Sequence, residues 1–76
     1  MKGTVPKQHF VNKLRELGYT FKGRQRRTEL YRLKGGTHCV DVPRCDYLPD
    51  MFIRCALRQC GQTSGQIDKF LSDARA

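Results

Sequence analysis

Phe10, Val11, Leu14 and Leu17 recur at helical spacing, and this spacing predicts an amphipathic first helix. Thr4 is placed to cap it, Pro6 suits its first turn, and Gly18 supplies a left-handed stop after the last apolar position. The apolar period then drops to two. Tyr19 and Phe21 alternate with Thr20 and Lys22, which predicts a short strand, and residues 23–27 (GRQRR) read as a turn. Residues 28–34 alternate again, with Tyr31 and Leu33 as the core side and Leu30 and Arg32 opposite. Gly35-Gly36 fits a two-residue hairpin turn with positive φ at both positions. A third strand follows over residues 37–42, with His38, Val40 and Val42 on one face, Cys39 and Asp41 on the other, and Pro43 at its end.

The remainder returns to helical patterning. Residues 46–50 read as a loop, with Asp50 capping a helix from Met51. Phe52, Cys55, Ala56, Gln59 and Cys60 fall along one flank of that helix, Ile53 and Leu57 adjoin it, and Gly61 stops it. Thr63 and Gln66 have capping-box spacing and open a short last helix bearing Ile67, Phe70 and Leu71. The predicted order is α-β-β-β-α plus a short C-terminal helix. This defines an α+β fold, a two-layer sandwich with a three-stranded antiparallel sheet. A chain of 76 residues can build one modest core, so residues 1–76 are read as a single domain.

Charge changes the picture. The chain carries 15 Lys and Arg against 7 Asp and Glu, a formal net charge of +8, which points to a polyanionic partner. The excess is local. Residues 22–34 hold Lys22, Arg24, Arg26, Arg27, Arg32 and Lys34 against Glu29 alone, contributing +5. Residues 1–21 contribute +3 from Lys2, Lys7, Lys13 and Arg15 against Glu16, and the rest of the chain cancels. Clustered cations displace counterions from a phosphate backbone, and the arginine fork can hold a phosphate bidentately. The competing use of the same pattern is a solvated sheet face made basic to discourage edge pairing. No aromatic pair stands at obvious base-stacking positions, so sequence-specific single-strand readout is not expected.

Four cysteines, Cys39, Cys45, Cys55 and Cys60, are spaced C-x5-C-x9-C-x4-C. The two tight ligand pairs of a structural zinc site are absent, so the expectation is small, buried, free thiols with no metal or other cofactor. No apolar run approaches the roughly 18 residues of a membrane span, and the start MKGTVPKQHF has no apolar signal core. A cytoplasmic protein is expected, with no membrane partner.

The order of elements and several short stretches resemble the HicA family of bacterial toxin ribonucleases. The matching stretches are LRELGYTF after a helix, a basic loop and hairpin, a strand ending in Val42-Pro43, and FIRCALRQCGQTSGQIDKFL. Together they cover about residues 5 to 72. The resemblance implies a double-stranded-RNA-binding-domain-like fold, an RNA partner that is double-stranded or structured, and an antitoxin protein as a further partner. It also implies a histidine base in a Gly-Ser-His type motif opening the second strand. Arg26, Arg27 and Thr28 occupy that place here, so Thr28 stands where the family has its histidine. A hydroxyl does not accept a proton near neutral pH as imidazole does. The resulting expectation is an RNA-binding protein with weak or absent nuclease activity, gripping phosphates with Lys22, Arg24, Arg26, Arg27, Thr28, Arg32 and Lys34. Two alternatives stay open. A shifted register lays Gly36-Thr37-His38 on the motif, making His38 the general base of a metal-independent endoribonuclease; otherwise the basic face docks an acidic protein. His38 also reads as a satisfied, half-buried histidine, and His9 as a surface residue.

Overall fold

Phe10, Val11 and Leu14 form the buried stripe of the first helix in the computed structural model, which describes residues 3–75. Lys2, counted in the N-terminal charge, lies outside the described residues. The element order is β1 (Thr4–Pro6), α1 (Lys7–Glu16), β2 (Tyr19–Arg24), β3 (Thr28–Leu33), β4 (Cys39–Pro43), β5 (Tyr47–Pro49), α2 (Asp50–Gln59) and α3 (Ser64–Arg75). Strands β2, β3 and β4 form an antiparallel sheet in that order, so the α-β-β-β-α plan with a C-terminal helix is present. The thinnest extent is 16 Å, in keeping with one sheet layer and one helical layer.

Two elements depart from the expected plan. Strands β1 and β5 pair antiparallel with Val5 opposite Leu48, where a cap and a loop were expected. Thr4 therefore belongs to a strand, and Pro6 is the residue preceding α1, which has no side-chain cap. The ribbon does the capping instead. The Lys7 N–H donates to the Asp46 carbonyl at 2.8 Å, and the Asp50 N–H donates to the Gly3 carbonyl at 2.9 Å. Each helix thus finds a partner for an orphan first-turn donor in the opposite strand's flank. Asp50 is accordingly the first residue of α2, with Pro49 before it.

The Gly35-Gly36 turn also differs. Only Gly35 has positive φ (+78°), and the Gly36 N–H donates to the Leu33 carbonyl at 3.0 Å. The two-residue turn is replaced by a four-residue loop closed by Leu33 N–H to the His38 carbonyl at 3.0 Å. β4 consequently starts at Cys39, two residues later than the alternation implied. Gly18 does stop α1, at φ +95°. The capping box opens α3 as expected, with Thr63 N–H to Gln66 Oε1 at 2.9 Å and Gln66 N–H to Thr63 Oγ1 at 3.2 Å. That helix is 12 residues long, longer than either of the others.

The core joins Val5, Phe10, Leu14, Tyr19, Tyr31, Val42, Leu48, Ile53, Leu57, Ile67 and Leu71 with their neighbours. Phe10 meets Phe52 edge to face, with centroids 5.7 Å apart. In α2 the buried residues are Ile53, Ala56 and Leu57, while Cys55 and Gln59 are exposed. The buried stripe is therefore rotated from the predicted flank toward Ile53 and Leu57. The cysteines are free as expected, but Cys39, Cys45 and Cys55 are exposed and only Cys60 is half-buried. No helix among the described residues is long and apolar enough to cross a membrane.

Candidate nucleic-acid interface

Opposite residues in an antiparallel ladder share a face, so the register sorts the cations. The core-side rows are Tyr19 with Leu33, Phe21 with Tyr31 and Val40, and Arg24 with Glu29 and Val42. The outer rows are Thr20 with Arg32 and Cys39, Gly23 with Leu30 and Asp41, and Thr28 with Pro43. A register shift between Phe21 and Gly23 leaves Lys22 as an extra residue in β2.

Arg24 stands apart from the other cations, exposed but beside a carboxylate. It sits in a core-side row, 3.8 Å from Glu29, whose other oxygen is 2.5 Å from Lys7 Nζ. The hydrogen bond from Lys7, with the charges of Lys7, Arg24 and Arg44, holds the Glu29 carboxyl below the ordinary glutamate value of 4.5 against the opposing effect of its burial. A lowered carboxyl value adds stability above the unfolded value and loses it as pH falls through the folded one. Acidification below about pH 4.5 should thus depress the melting temperature more steeply in the wild type than in Glu29→Gln. Parallel slopes in melts recorded from about pH 3 to pH 6 would show that the Lys7 bridge adds nothing.

The remaining cations gather at two ends of the same sheet. At the glycine turn, Thr20, Lys22, Arg32, Lys34 and Thr37 line an open hollow of about 350 Å³, floored by Leu33, Gly35 and Gly36. Arg32 Nε donates to the Gly36 carbonyl at 3.0 Å, which fixes the guanidinium over the turn and leaves its terminal nitrogens available. The Gly36 position is sterically tight as well, since a Cβ there would lie 3.0 Å from Leu33 Cδ2. At the opposite end, Arg26, Arg27 and Arg44 surround a second hollow of about 440 Å³ with Pro43 and Cys45. Five residue steps separate Thr28 from Leu33 along β3, so the two ends lie roughly 17 Å apart. Leu30 and Asp41 stand between them on the outer face. The positive surface is two patches and not one continuous track.

Thr28 braces the basic turn: its Oγ1–H donates to Gln25 Oε1 at 3.2 Å. His38 lines neither hollow. Its Nδ1 shares a 2.6 Å hydrogen bond with Tyr19 Oη, and the two rings meet edge to face. Burial, a hydrogen bond with Cys60, and the Cys60 and Cys39 charges push the Tyr19 phenol up to about 12. Burial likewise pushes the Cys60 thiol up. Tyr19 and Cys60 are therefore neutral at physiological pH, and His38 packs against a protonated phenol. His9 is exposed on α1. Among the described residues, no group of three or more His, Cys, Asp or Glu is placed to hold a metal ion.

Arg44 is the cation of the candidate interface that sequence reasoning missed. It belongs to a stretch whose charges cancel overall, so counting hides it. The signal is tertiary: the Arg44 N–H donates to the Arg27 carbonyl at 3.0 Å. A scan against models of known protein families matched none of them, and no curated protein matched the chain.

Proposed function

We propose that this domain binds RNA through its phosphate backbone, using the two cationic ends of the outer sheet face, and does not cleave it. The observation that carries this reading is the convergence of Lys22, Arg32 and Lys34 on one hollow with no carboxylate in its lining. Such a site offers charge-assisted donors to successive phosphates. RNA is preferred over other polyanions because the LRELGYTF and FIRCALRQCGQTSGQIDKFL stretches, in this element order, resemble HicA-type proteins. Deprotonating a 2′-hydroxyl needs a base beside the bound phosphate, and His38 is engaged with Tyr19 and lines neither hollow.

Lys22→Ala combined with Lys34→Ala tests the site without disturbing the turn, because neither side chain makes a hydrogen bond or ion pair among the described residues. Affinity for a blunt RNA duplex, measured by fluorescence anisotropy at low salt, should fall about tenfold. Undiminished affinity in the double variant would remove the glycine-turn hollow from the interface. Intact RNA after prolonged incubation is expected from both the wild type and His38→Ala. Degradation by the wild type alone would restore His38 as a base.

A further inference from the structure

The three arginines of the second hollow come from two loops that main-chain bonds hold together. Gln25 N–H donates to the Thr28 carbonyl at 2.8 Å, closing the turn that carries Arg26 and Arg27. Arg44 N–H then ties the end of β4 to the Arg27 carbonyl at 3.0 Å. One residue further, the Cys45 thiol donates to the Tyr47 carbonyl at 3.0 Å and folds the chain toward β5. Among the described residues none of the three guanidinium groups is in an ion pair. Asp46, next along the chain, gives its main-chain carbonyl to Lys7 and no carboxylate to Arg44 among those pairs.

Three like charges around one hollow repel one another, an arrangement that an incoming anion relieves. The forks present several donors to a single phosphate, a geometry a lysine cluster does not offer. A neighbouring feature narrows the ligand. In β5 the side chains alternate, with Leu48 fully buried and Tyr47 on the solvent side, 56% exposed. An aromatic face thus stands two residues from Cys45, which lines the hollow. Aromatic side chains in such positions stack on nucleobases, which offer a free face only when unpaired.

We infer that this hollow seats one phosphodiester of an unpaired nucleotide, held by Arg26, Arg27 and Arg44, with the adjoining base stacked on Tyr47. The inference rests on the RNA-binding reading above and narrows it: the glycine-turn end takes backbone phosphates of any form, and the arginine end takes a single strand. Stacking of this kind tolerates every base, so the seat confers a preference for strandedness and none for sequence.

The test is fluorescence anisotropy with two probes, a short single-stranded oligouridylate and a blunt RNA duplex, on the wild type, Arg44→Gln, Tyr47→Ala and Tyr47→Phe. Arg44→Gln should weaken single-strand binding about fivefold and reduce the slope of log affinity against log salt by about one. Tyr47→Ala should weaken single-strand binding about tenfold while leaving the duplex within about twofold, and Tyr47→Phe should retain wild-type affinity for both. Single-strand affinity that survives either Arg44→Gln or Tyr47→Ala overturns the inference, as does an equal loss on both probes with Tyr47→Ala. If Lys22→Ala with Lys34→Ala lowers affinity while Arg44→Gln does not, RNA binding stands and this seat falls. If the wild type binds neither probe, both fall together. Circular dichroism melts of each variant confirm that any loss belongs to the surface, since Arg44 and Tyr47 are both exposed.

Discussion

Raising monovalent salt from about 50 to about 200 mM should weaken single-stranded RNA binding roughly fiftyfold. Six cations line the two hollows: Lys22, Arg32 and Lys34 at the glycine turn, and Arg26, Arg27 and Arg44 at the other end. Each phosphate neutralised releases condensed counterions, so three phosphates at the glycine turn and one shared by the three arginines give a single-strand slope of log affinity against log salt near −3, and a fourfold change in salt gives about fiftyfold. Arg26→Ala combined with Arg27→Ala should flatten that slope by about one. An unchanged slope in the double variant would mean that the β2–β3 turn never meets the ligand. A shallow slope in the wild type would mean that fewer than half of these groups make contact, and the proposed surface would be too large. Affinities measured at several salt concentrations distinguish these outcomes directly.

The second large effect concerns the core. Phe10→Ala should cost about 3–5 kcal/mol, against a total stability of about 4–11 kcal/mol for a chain of this length. Phe10 is fully buried, and its ring edge meets Phe52 across the α1–α2 contact, so truncation opens a cavity between two helices that share one small core. A drop of more than about 10 °C in melting temperature is expected. Met51, in the first turn of α2, is an exposed apolar residue of similar bulk. Met51→Ala should change stability by less than about 0.5 kcal/mol. Equal losses in the two variants would mean that Phe10 is not where the core is concentrated.

Local patterning makes α1, the β2–β3–β4 sheet and the faces of β3 legible in the sequence, because each is encoded by a run of alternating or helically spaced apolar residues. The β1–β5 ribbon has no such run. Each strand is three residues long with one fully buried residue, Val5 or Leu48, and the two are distant in the chain, so only the folded pairing makes them strands. In α2 the residues Met51, Phe52, Ile53, Cys55, Ala56 and Leu57 are apolar nearly all round, which leaves the buried side to be chosen by what packs against it. Helix α3 and strand β5 make that choice, and they select Ile53 and Leu57 over Cys55. The basic hairpin is visible as a charge count, but counting cannot assign sheet faces or find cross-chain neighbours. Register places Arg24 opposite Glu29, and one main-chain bond brings Arg44 to Arg27.

The extra residue at Lys22 has a consequence for how copies of this domain behave in concentrated solution. β2 is a border of the three-stranded ladder, and a straight border of unpaired amides is a template on which a second molecule can add. An inserted residue coils such a border and breaks the even spacing of its donors, and an ammonium group at that point repels its own image in an approaching copy. The irregularity at Lys22, a residue that also lines the glycine-turn hollow, thus makes this border a poor template for a second copy.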